Sequence, residues 1–210
     1  GYVEGWSDFD IDVIIQTDYE HARNDYQVGK AIEQQIKESG FDRIDIRVYD
    51  YIHLNARKTI LEYGQCSRAT MLCDSAILLM GTDIRKKLVR PMREEQNREG
   101  FYLLEHMIGF SDQWWSNLPW DDIAAHFALT ARFLYTKDTG KVASKQMALE
   151  YALNNYSNRY DKEQIQWLLW ALSMRINYHP MLVQEVLHEN AVNVLKRTFV
   201  LVRNILAEVI

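Results

Sequence analysis

Residues 7–15 read Ser7-Asp8-Phe9-Asp10-Ile11-Asp12-Val13-Ile14-Ile15. Successive side chains of a β-strand point to opposite faces, so this run predicts a strand with one apolar and one acidic face. The acidic face carries Asp8, Asp10 and Asp12, and neighbours along it lie about 6 to 7 Å apart. Ionised carboxylates this close repel one another in a shielded cleft unless a cation lies between them. The run therefore predicts a divalent cation site, and its oxygen ligands favour Mg²⁺ or Mn²⁺.

Two alternatives stay open for these residues. The strand can lie at the edge of a sheet, with its acidic face simply exposed to water. Because aspartates recur at every second position, Asp10 and Asp12 can also be the metal pair in place of Asp8 and Asp10. We favour Asp8 and Asp10, since they follow Ser7 directly and leave a longer apolar strand behind them.

A second strand is predicted from Arg43 to Tyr49, where apolar and polar residues alternate. Asp45 belongs to the polar face of this strand and is either a third carboxylate of the site or an ordinary surface aspartate. Between the two strands, residues 17–37 have helical apolar spacing. Thr17-Asp18 is expected to cap this helix and Ser39-Gly40 to end it.

The pattern of the chain changes near Pro91. Before it, Ser75 to Met80 predict a third strand, Ile84 begins a predicted helix, and a further helix is expected around Leu54 to Tyr63. After it, strand signals stop and the spacing predicts helices. Their expected ranges are Glu94 to Trp115, Asp121 to Lys137, Lys141 to Asn154, Lys162 to Asn177, and Pro180 to Ile210 with a break near Glu189-Asn190. We expect an α/β (α+β) fold, with a mixed-sheet domain at 1–93 and an α-helical bundle at 94–210.

Composition limits the classes of partner. A net charge of −5 argues against a broad surface for nucleic acid. Cys66 and Cys73 have no second cysteine pair and no histidine at zinc spacing, so we expect neither a disulfide framework nor a zinc site, and a cytoplasmic location fits. No apolar run approaches the roughly 18 residues that span a bilayer, so we expect no membrane segment.

The run from Gly1 to Asp10 resembles the core motif of the DNA polymerase β-like nucleotidyltransferase superfamily. That motif is a Gly-Ser pair, a further glycine, and Ser-Asp-x-Asp leading into an apolar strand. Gly1 matches the further glycine and Ser7-Asp8-Phe9-Asp10 the acidic part. The Gly-Ser pair would precede Gly1, so we expect the chain to lack its natural N-terminus, including a first helix and strand.

This resemblance implies roles for four residues. Asp8 and Asp10 would bind the metal, and Ser7 would contact the nucleotide. The superfamily places a third carboxylate on a neighbouring strand, in a setting like Ile44-Asp45-Ile46, which makes Asp45 the implied general base. The family usually has a glutamate there. Because aspartate is shorter, either the acceptor lies deeper or Asp45 also binds metal.

A second resemblance lies in the helical half, in Leu129-Thr130-Ala131-Arg132-Phe133-Leu134-Tyr135 followed by Thr139-Gly140-Lys141-Val142-Ala143-Ser144-Lys145. It is similar to the C-terminal helical domain of the aminoglycoside adenylyltransferases that act on streptomycin and spectinomycin. Their Ala-Arg-x-x-Tyr helix precedes Thr-Gly-Lys and another lysine, and an arginine and a lysine there reach the ATP triphosphate. Arg132 and Lys145 match these positions. Alternatively, Arg132 is a buried bundle arginine paired with an acid such as Glu150.

The family places aromatic and acidic residues against its cationic substrate in the loop between the first two bundle helices. Here the corresponding residues are Trp114, Trp115, Asp121 and Asp122. They can stack on and pair with a polyamine ring. Equally, the tryptophans can form an interdomain plug, with Asp121 as a helix cap.

The resemblance implies a Mg²⁺-dependent enzyme that transfers AMP from ATP to a hydroxyl of a small molecule, with an aminoglycoside antibiotic as one candidate. Two alternatives stay open. One is an antitoxin-like or regulatory nucleotidyltransferase that modifies or binds a protein. The other is a nucleotide sensor without catalysis.

Overall fold

The structure is a computed structural model that describes residues 9–15, 19–40, 44–51, 65–176 and 185–210. Within these ranges the protein is mostly helical, with eight α-helices and one parallel pair of strands. The chain divides into two compact units. The first comprises Gly1–Thr59 and Leu78–Val89, and the second comprises Ile60–Ile77 and Arg90–Ile210.

The first unit contains strand β1 (Phe9–Ile15), helix α1 (Tyr19–Glu38) and strand β2 (Ile44–Asp50). The strands pair in parallel, from Phe9 opposite Ile44 to Ile15 opposite Asp50. The predicted strand, helix and second strand are therefore confirmed to within a few residues. Gly40 ends the helix in a left-handed conformation with φ 96°, as expected, while the predicted cap at Thr17-Asp18 lies outside the described residues.

Helix α1 packs on the apolar face of β2. Ile44 and Ile46 are buried there, and a Cβ atom added at Gly29 would lie 2.5 Å from Val48 Cγ2. One turn after Gly29, the Glu33 carboxylate accepts a hydrogen bond from the Ile46 backbone N–H at 3.1 Å. Hydrogen bonds from Lys30, Lys37 and the Ile46 N–H lower the pKa of Glu33 to about 2. A close contact and an ionised carboxylate thus hold β2 against the helix.

The second unit contains the other seven helices of the described chain. They are α2 (Gln65–Asp74), α3 (Arg93–Ile108), α4 (Asp112–Ser116), α5 (Trp120–Thr139), α6 (Lys145–Asn155), α7 (Lys162–Ile176) and α8 (Glu185–Ala207). One hydrophobic core joins α3 to α8, and its largest fully buried side chains are Leu104, Trp115, Ile123, Phe127, Leu134, Leu149, Leu168, Leu195, Phe199, Ile205 and Leu206. The helical character predicted beyond Pro91 is confirmed.

Helix α2 belongs to the helical unit because α3 caps it. The Glu99 carboxylate, 3% exposed, accepts hydrogen bonds from the backbone N–H groups of Cys66 at 2.6 Å and Ser67 at 3.0 Å. These N–H groups lie in the first helical turn, where no carbonyl of the helix itself can accept from them. Burial raises the pKa of Glu99, although the hydrogen bonds oppose this shift. The boundary predicted at residue 93 instead assigns this segment to the domain that contains the strands.

Two of the predictions for the segment that precedes Pro91 in the chain are wrong. Ser75 to Met80 do not form a strand, and Ile77, Leu79 and Met80 are strongly exposed. An apolar run becomes a strand only where a neighbour takes its backbone hydrogen bonds, and in the described part of the chain the sheet has only β1 and β2. The helix expected at Ile84 is a single 3₁₀ turn, Arg85–Lys87. The helix expected around Leu54 to Tyr63 lies outside the described residues.

Several helix boundaries in the second unit also differ from the prediction, and the helix expected from Lys141 begins at Lys145. The helix expected from Glu94 to Trp115 ends at Ile108, and Ser111 caps a separate helix by accepting a hydrogen bond from the Trp114 N–H at 3.2 Å. Conversely, α8 continues through Glu189-Asn190, where a break was expected. The Asn190 side chain accepts a hydrogen bond from Trp167 Nε1 at 3.0 Å and does not interrupt the helix. None of the helices described in the structure is long and apolar enough to cross a membrane.

Replacing Gly29 with alanine should destabilise the protein, although alanine favours helices by about 1 kcal/mol. The new methyl group would lie 2.5 Å from Val48 Cγ2, and valine is stiff about χ1. Overpacking of this kind costs about 1 to 3 kcal/mol, so we expect a net loss in the free energy of unfolding, measured by urea denaturation. The control is Gly29→Ala combined with Val48→Ala, which should be no less stable than Val48→Ala alone. A stabilised Gly29→Ala single variant would contradict the close approach.

Candidate functional site

The strand pair brings two of the predicted acidic residues to adjacent positions. In the parallel register Asp10 lies directly opposite Asp45, and Asp12 lies opposite Arg47. Neighbouring strands are about 4.8 Å apart, so the backbones of Asp10 and Asp45 are that close. On β2 the position of Asp45 alternates with the buried Ile44 and Ile46, so the register puts both aspartate positions on the face opposite these isoleucines. Ser7 and Asp8 lie outside the described residues.

The register also gives Asp10 and Asp12 different neighbours on β2. Like charges directly opposite one another destabilise a strand pair, and opposite charges stabilise it. Asp12 has the cation Arg47 at the neighbouring position, whereas Asp10 has the acid Asp45. A bound divalent cation would therefore relieve repulsion at Asp10 more than at Asp12, which favours Asp10 as a ligand.

Oxygen donors of this kind suit Mg²⁺, which uses one or two carboxylates and completes its shell with phosphate and water. Among the side chains that the structure describes, no group of three or more His, Cys, Asp or Glu could hold a metal ion. Those side chains do not include Asp8, Asp10 or Asp45. The fit to Mg²⁺ therefore rests on the backbone register and on the type of donor.

Arg132 and Lys145 lie on either side of one short loop, residues 140–144. Arg132 is in α5, and its Nε donates to the carbonyl of Ala143 at 2.8 Å. Thr136, one turn later in α5, donates to the carbonyl of Lys141 at 2.9 Å. Lys145 is the first residue of α6. Two side chains of α5 thus fix the loop that leads to Lys145.

The alternative partner of Arg132 has a contact of its own. Glu150 is exposed and accepts a hydrogen bond from Gln146 at 2.9 Å, one turn earlier in α6. The half-buried Arg132 donates a hydrogen bond to the loop through Nε. Its Nη2 lies 4.0 Å from Met71 Sδ in α2. Arg132 therefore has a structural role in the helical unit beside any role in binding.

The two adjacent tryptophans have different environments. Trp115 is 1% exposed and packs edge-on against Phe199, with ring centroids 5.5 Å apart. It belongs to the core and offers no face to a ligand. Trp114 is half-buried and lines an open pocket of about 540 Å³. Of the predicted substrate residues, Trp114 and Asp122 line this pocket.

Among the described contacts of α5, no capping hydrogen bond to the Asp121 side chain is present. This helix begins at Trp120 after Pro119, with no side-chain hydrogen bond at its cap. Asp121 is exposed in the first turn, where a negative charge interacts favourably with the helix dipole. It is not among the pocket residues.

The pocket also contains a histidine that the sequence analysis missed. Its lining residues are Ser111, Gln113, Trp114, Asn117, Leu118, Pro119, Asp122 and His126. His126 follows Asp122 by one helical turn, and its Nδ1 lies 2.5 Å from the Asp122 carbonyl oxygen. This spacing of four residues was visible in the sequence and was the available signal, because it puts both residues on one face of a helix.

Lys145 affects the pKa of His126, which is a residue of the pocket. Burial lowers the pKa of His126, the hydrogen bond to Asp122 opposes this, and the positive charge of Lys145 lowers the pKa further. The imidazole is therefore neutral at pH 7, since even its unperturbed pKa is about 6.5. The predicted triphosphate lysine and the predicted substrate residues thus lie near one another in the helical unit.

No protein-family model matches the chain, and no curated protein was found that matches it. A functional assignment therefore depends on the residues and their geometry.

Replacing Lys145 with alanine should raise the pKa of His126. A positive neighbour makes protonation of the imidazole less favourable, so its removal makes protonation easier. NMR titration of the His126 ring protons measures this pKa, with the signal assigned by comparison with His126→Gln. Lys141→Ala is the matched control, because Lys141 is an exposed lysine of the preceding loop. An equal shift in both variants, or none in Lys145→Ala, would contradict the electrostatic contact.

Proposed function

We propose that this protein is a Mg²⁺-dependent nucleotidyltransferase that transfers AMP from ATP to a hydroxyl of a small molecule, with an aminoglycoside antibiotic as the leading candidate. The observation that carries the proposal is the register that puts Asp10, the last residue of Ser7-Asp8-Phe9-Asp10, beside Asp45. In this proposal the unit that contains the strands is the nucleotidyltransferase domain, and the helical unit binds nucleotide and substrate.

Asp8 and Asp10 would hold Mg²⁺, and Ser7 would contact the nucleotide. Bound Mg²⁺ would neutralise charge on the phosphate oxygens. Asp45 accepts the proton of the acceptor hydroxyl as its oxygen forms a bond to the α-phosphorus. The bond from that phosphorus to the oxygen bridging to the β-phosphate breaks, and pyrophosphate leaves. The adjacency of Asp10 and Asp45 supports this role, and it equally allows Asp45 to share the metal.

Arg132 and Lys145 would bind the triphosphate oxygens that the metal leaves uncovered. The loop between them is fixed by hydrogen bonds from α5, which supports this role because ordered cations lose less entropy on binding. The nearby pocket supports a small-molecule acceptor. Its volume of about 540 Å³ is within the range of roughly 300 to 1,000 Å³ usual for small ligands. Trp114 offers it an aromatic surface and Asp122 a carboxylate.

The acidic residues are tested by Asp8→Asn, Asp10→Asn and Asp45→Asn. We expect the first two to abolish Mg²⁺-dependent transfer with the fold intact. Asp45→Asn should retain ATP and Mg²⁺ binding but lower the rate at least about a hundredfold, as loss of a positioned base does. Asp12→Asn is the matched control, because Asp12 is on the same strand beside Arg47, and its effect should be mild. The assay uses labelled ATP, Mg²⁺ and an aminoglycoside panel, beside a cell lysate.

Each contrary result of this assay has a distinct meaning. Near-normal turnover in both Asp8→Asn and Asp10→Asn refutes the metal assignment. An inactive Asp12→Asn with an active Asp8→Asn shifts the metal pair by two residues. Label on a lysate protein favours a protein acceptor, and ATP binding without transfer favours a nucleotide sensor. Loss of metal binding in Asp45→Asn makes that residue a third ligand.

Arg132→Ala and Lys145→Ala should each weaken ATP binding about ten- to a hundredfold, because a charge-assisted hydrogen bond contributes about 1.5 to 3 kcal/mol. The loss should be larger for Arg132, whose planar group can hold two oxygens. Calorimetry with a non-hydrolysable ATP analogue measures both affinities. Lys141→Ala, in the same loop, is the control. Thermal unfolding separates binding from the loss of the bond to Ala143, and unchanged affinity in both variants would mean that these residues serve only the helical unit.

A further inference from the structure

The pocket of the helical unit offers several kinds of group to a ligand. Trp114 provides an aromatic surface and Asp122 a negative charge. Ser111, Gln113 and Asn117 add a hydroxyl and two amides. A ligand that satisfies all of them needs an apolar face, a positive charge and polar groups that form hydrogen bonds. His126 also lines the pocket, and its contact with the Asp122 carbonyl fixes its hydrogen-bonding role.

The tautomer of His126 follows from its contact with Asp122. A backbone carbonyl can only accept a hydrogen bond, so the Nδ1 atom that lies 2.5 Å from it carries the proton. In the neutral ring, Nε2 is then an acceptor with a lone pair. No group in the described parts of the chain donates a hydrogen bond to this Nε2. The remaining polar atom of a ring that lines the pocket is therefore an acceptor.

The orientation of the ring is also fixed by its neighbours. The Trp114 ring meets it edge-on, with centroids 5.9 Å apart, and the Phe199 ring lies at 6.0 Å on a tilted plane. Together with the Asp122 hydrogen bond, these contacts restrict rotation of the imidazole. A fixed acceptor costs less entropy to bind than a mobile one, so the ring is suited to selecting a ligand.

We propose that His126 determines acceptor specificity: its Nε2 accepts a hydrogen bond from a hydroxyl of the bound molecule, beside the cationic group that pairs with Asp122. The pocket then selects an amino alcohol over an amine of the same shape without a hydroxyl. This inference rests on the proposed function, in which the pocket holds the acceptor. The site itself lies within the helical unit, so binding to it can be measured without ATP.

Two diamines built on the same cyclohexane ring test the selection. Deoxystreptamine has hydroxyls beside its amines, and diaminocyclohexane has none. Calorimetry and tryptophan fluorescence should show that the protein binds deoxystreptamine about two- to tenfold more tightly, the usual worth of one neutral hydrogen bond. His126→Phe keeps the ring but removes the acceptor and should abolish this preference. His126→Gln restores an acceptor oxygen and should recover part of it.

Asp122→Asn is the matched control on the ionic contact. This substitution should weaken the binding of both ligands to a similar extent and leave the ratio of their affinities unchanged. It removes the negative charge of Asp122 and keeps the hydrogen-bond acceptor on His126. Thermal unfolding of His126→Phe verifies that the helical unit stays folded. In the transfer assay His126→Phe should raise KM for the acceptor more than it lowers kcat, as loss of a binding contact does.

The outcomes separate this inference from the proposed function. Equal affinity for the two diamines, failure of both to bind, or a preference that survives in His126→Phe each overturns the role of His126, even if AMP transfer is observed. Conversely, a preference that is lost in His126→Phe and recovered in His126→Gln supports that role even if no AMP transfer occurs. In that case only the proposed reaction is refuted.

Discussion

The parallel register of β1 and β2 is the constraint on which the acidic site depends. Side chains alternate along a strand, so a slip of one residue would turn the acidic positions toward α1 and the apolar positions away from it. Two contacts with α1 fix which face of β2 is covered. Gly29 lets α1 approach Val48, and Glu33 holds the Ile46 N–H. Residues without a proposed chemical role therefore fix the face of β2 that is left to Asp45, the neighbour of Asp10 in the register.

In the helical unit, Arg132 combines support of the structure with a proposed part in binding. Its Nε donates to the Ala143 carbonyl and so restrains the arm of the side chain. The guanidinium is planar, and fixing one nitrogen also fixes the plane in which the others lie. A cation held in this way is ordered before a phosphate arrives. The structural interpretation of Arg132 and the functional one are therefore compatible.

Local patterns in the sequence were sufficient for much of the fold, because periods of two and 3.6 residues reflect which face is buried. These patterns gave wrong predictions where contacts with residues far away in the sequence determine the structure. Ser75 to Met80 have the composition of a strand but no strand beside them in the described sheet. Trp114 and Trp115 are chemically identical, and only packing against Phe199 puts one in the core and the other in a pocket. Burial and, to a lesser extent, the positive charge of Lys145 in the next helix lower the pKa of His126, and neither effect could be inferred from its neighbours in the sequence.

The cap that Glu99 provides for α2 limits how this protein can be divided or recombined. The chain passes from one compact unit to the other three times, after Thr59, Ile77 and Val89. A fragment that begins at residue 94 would keep the buried Glu99 carboxylate and lose both backbone donors, at Cys66 and Ser67, and an uncompensated buried charge is strongly destabilising. The helical half therefore cannot be exchanged between related proteins by a single crossover. Any chimera must inherit residues 60–77 and 90–210 together, from the same parent.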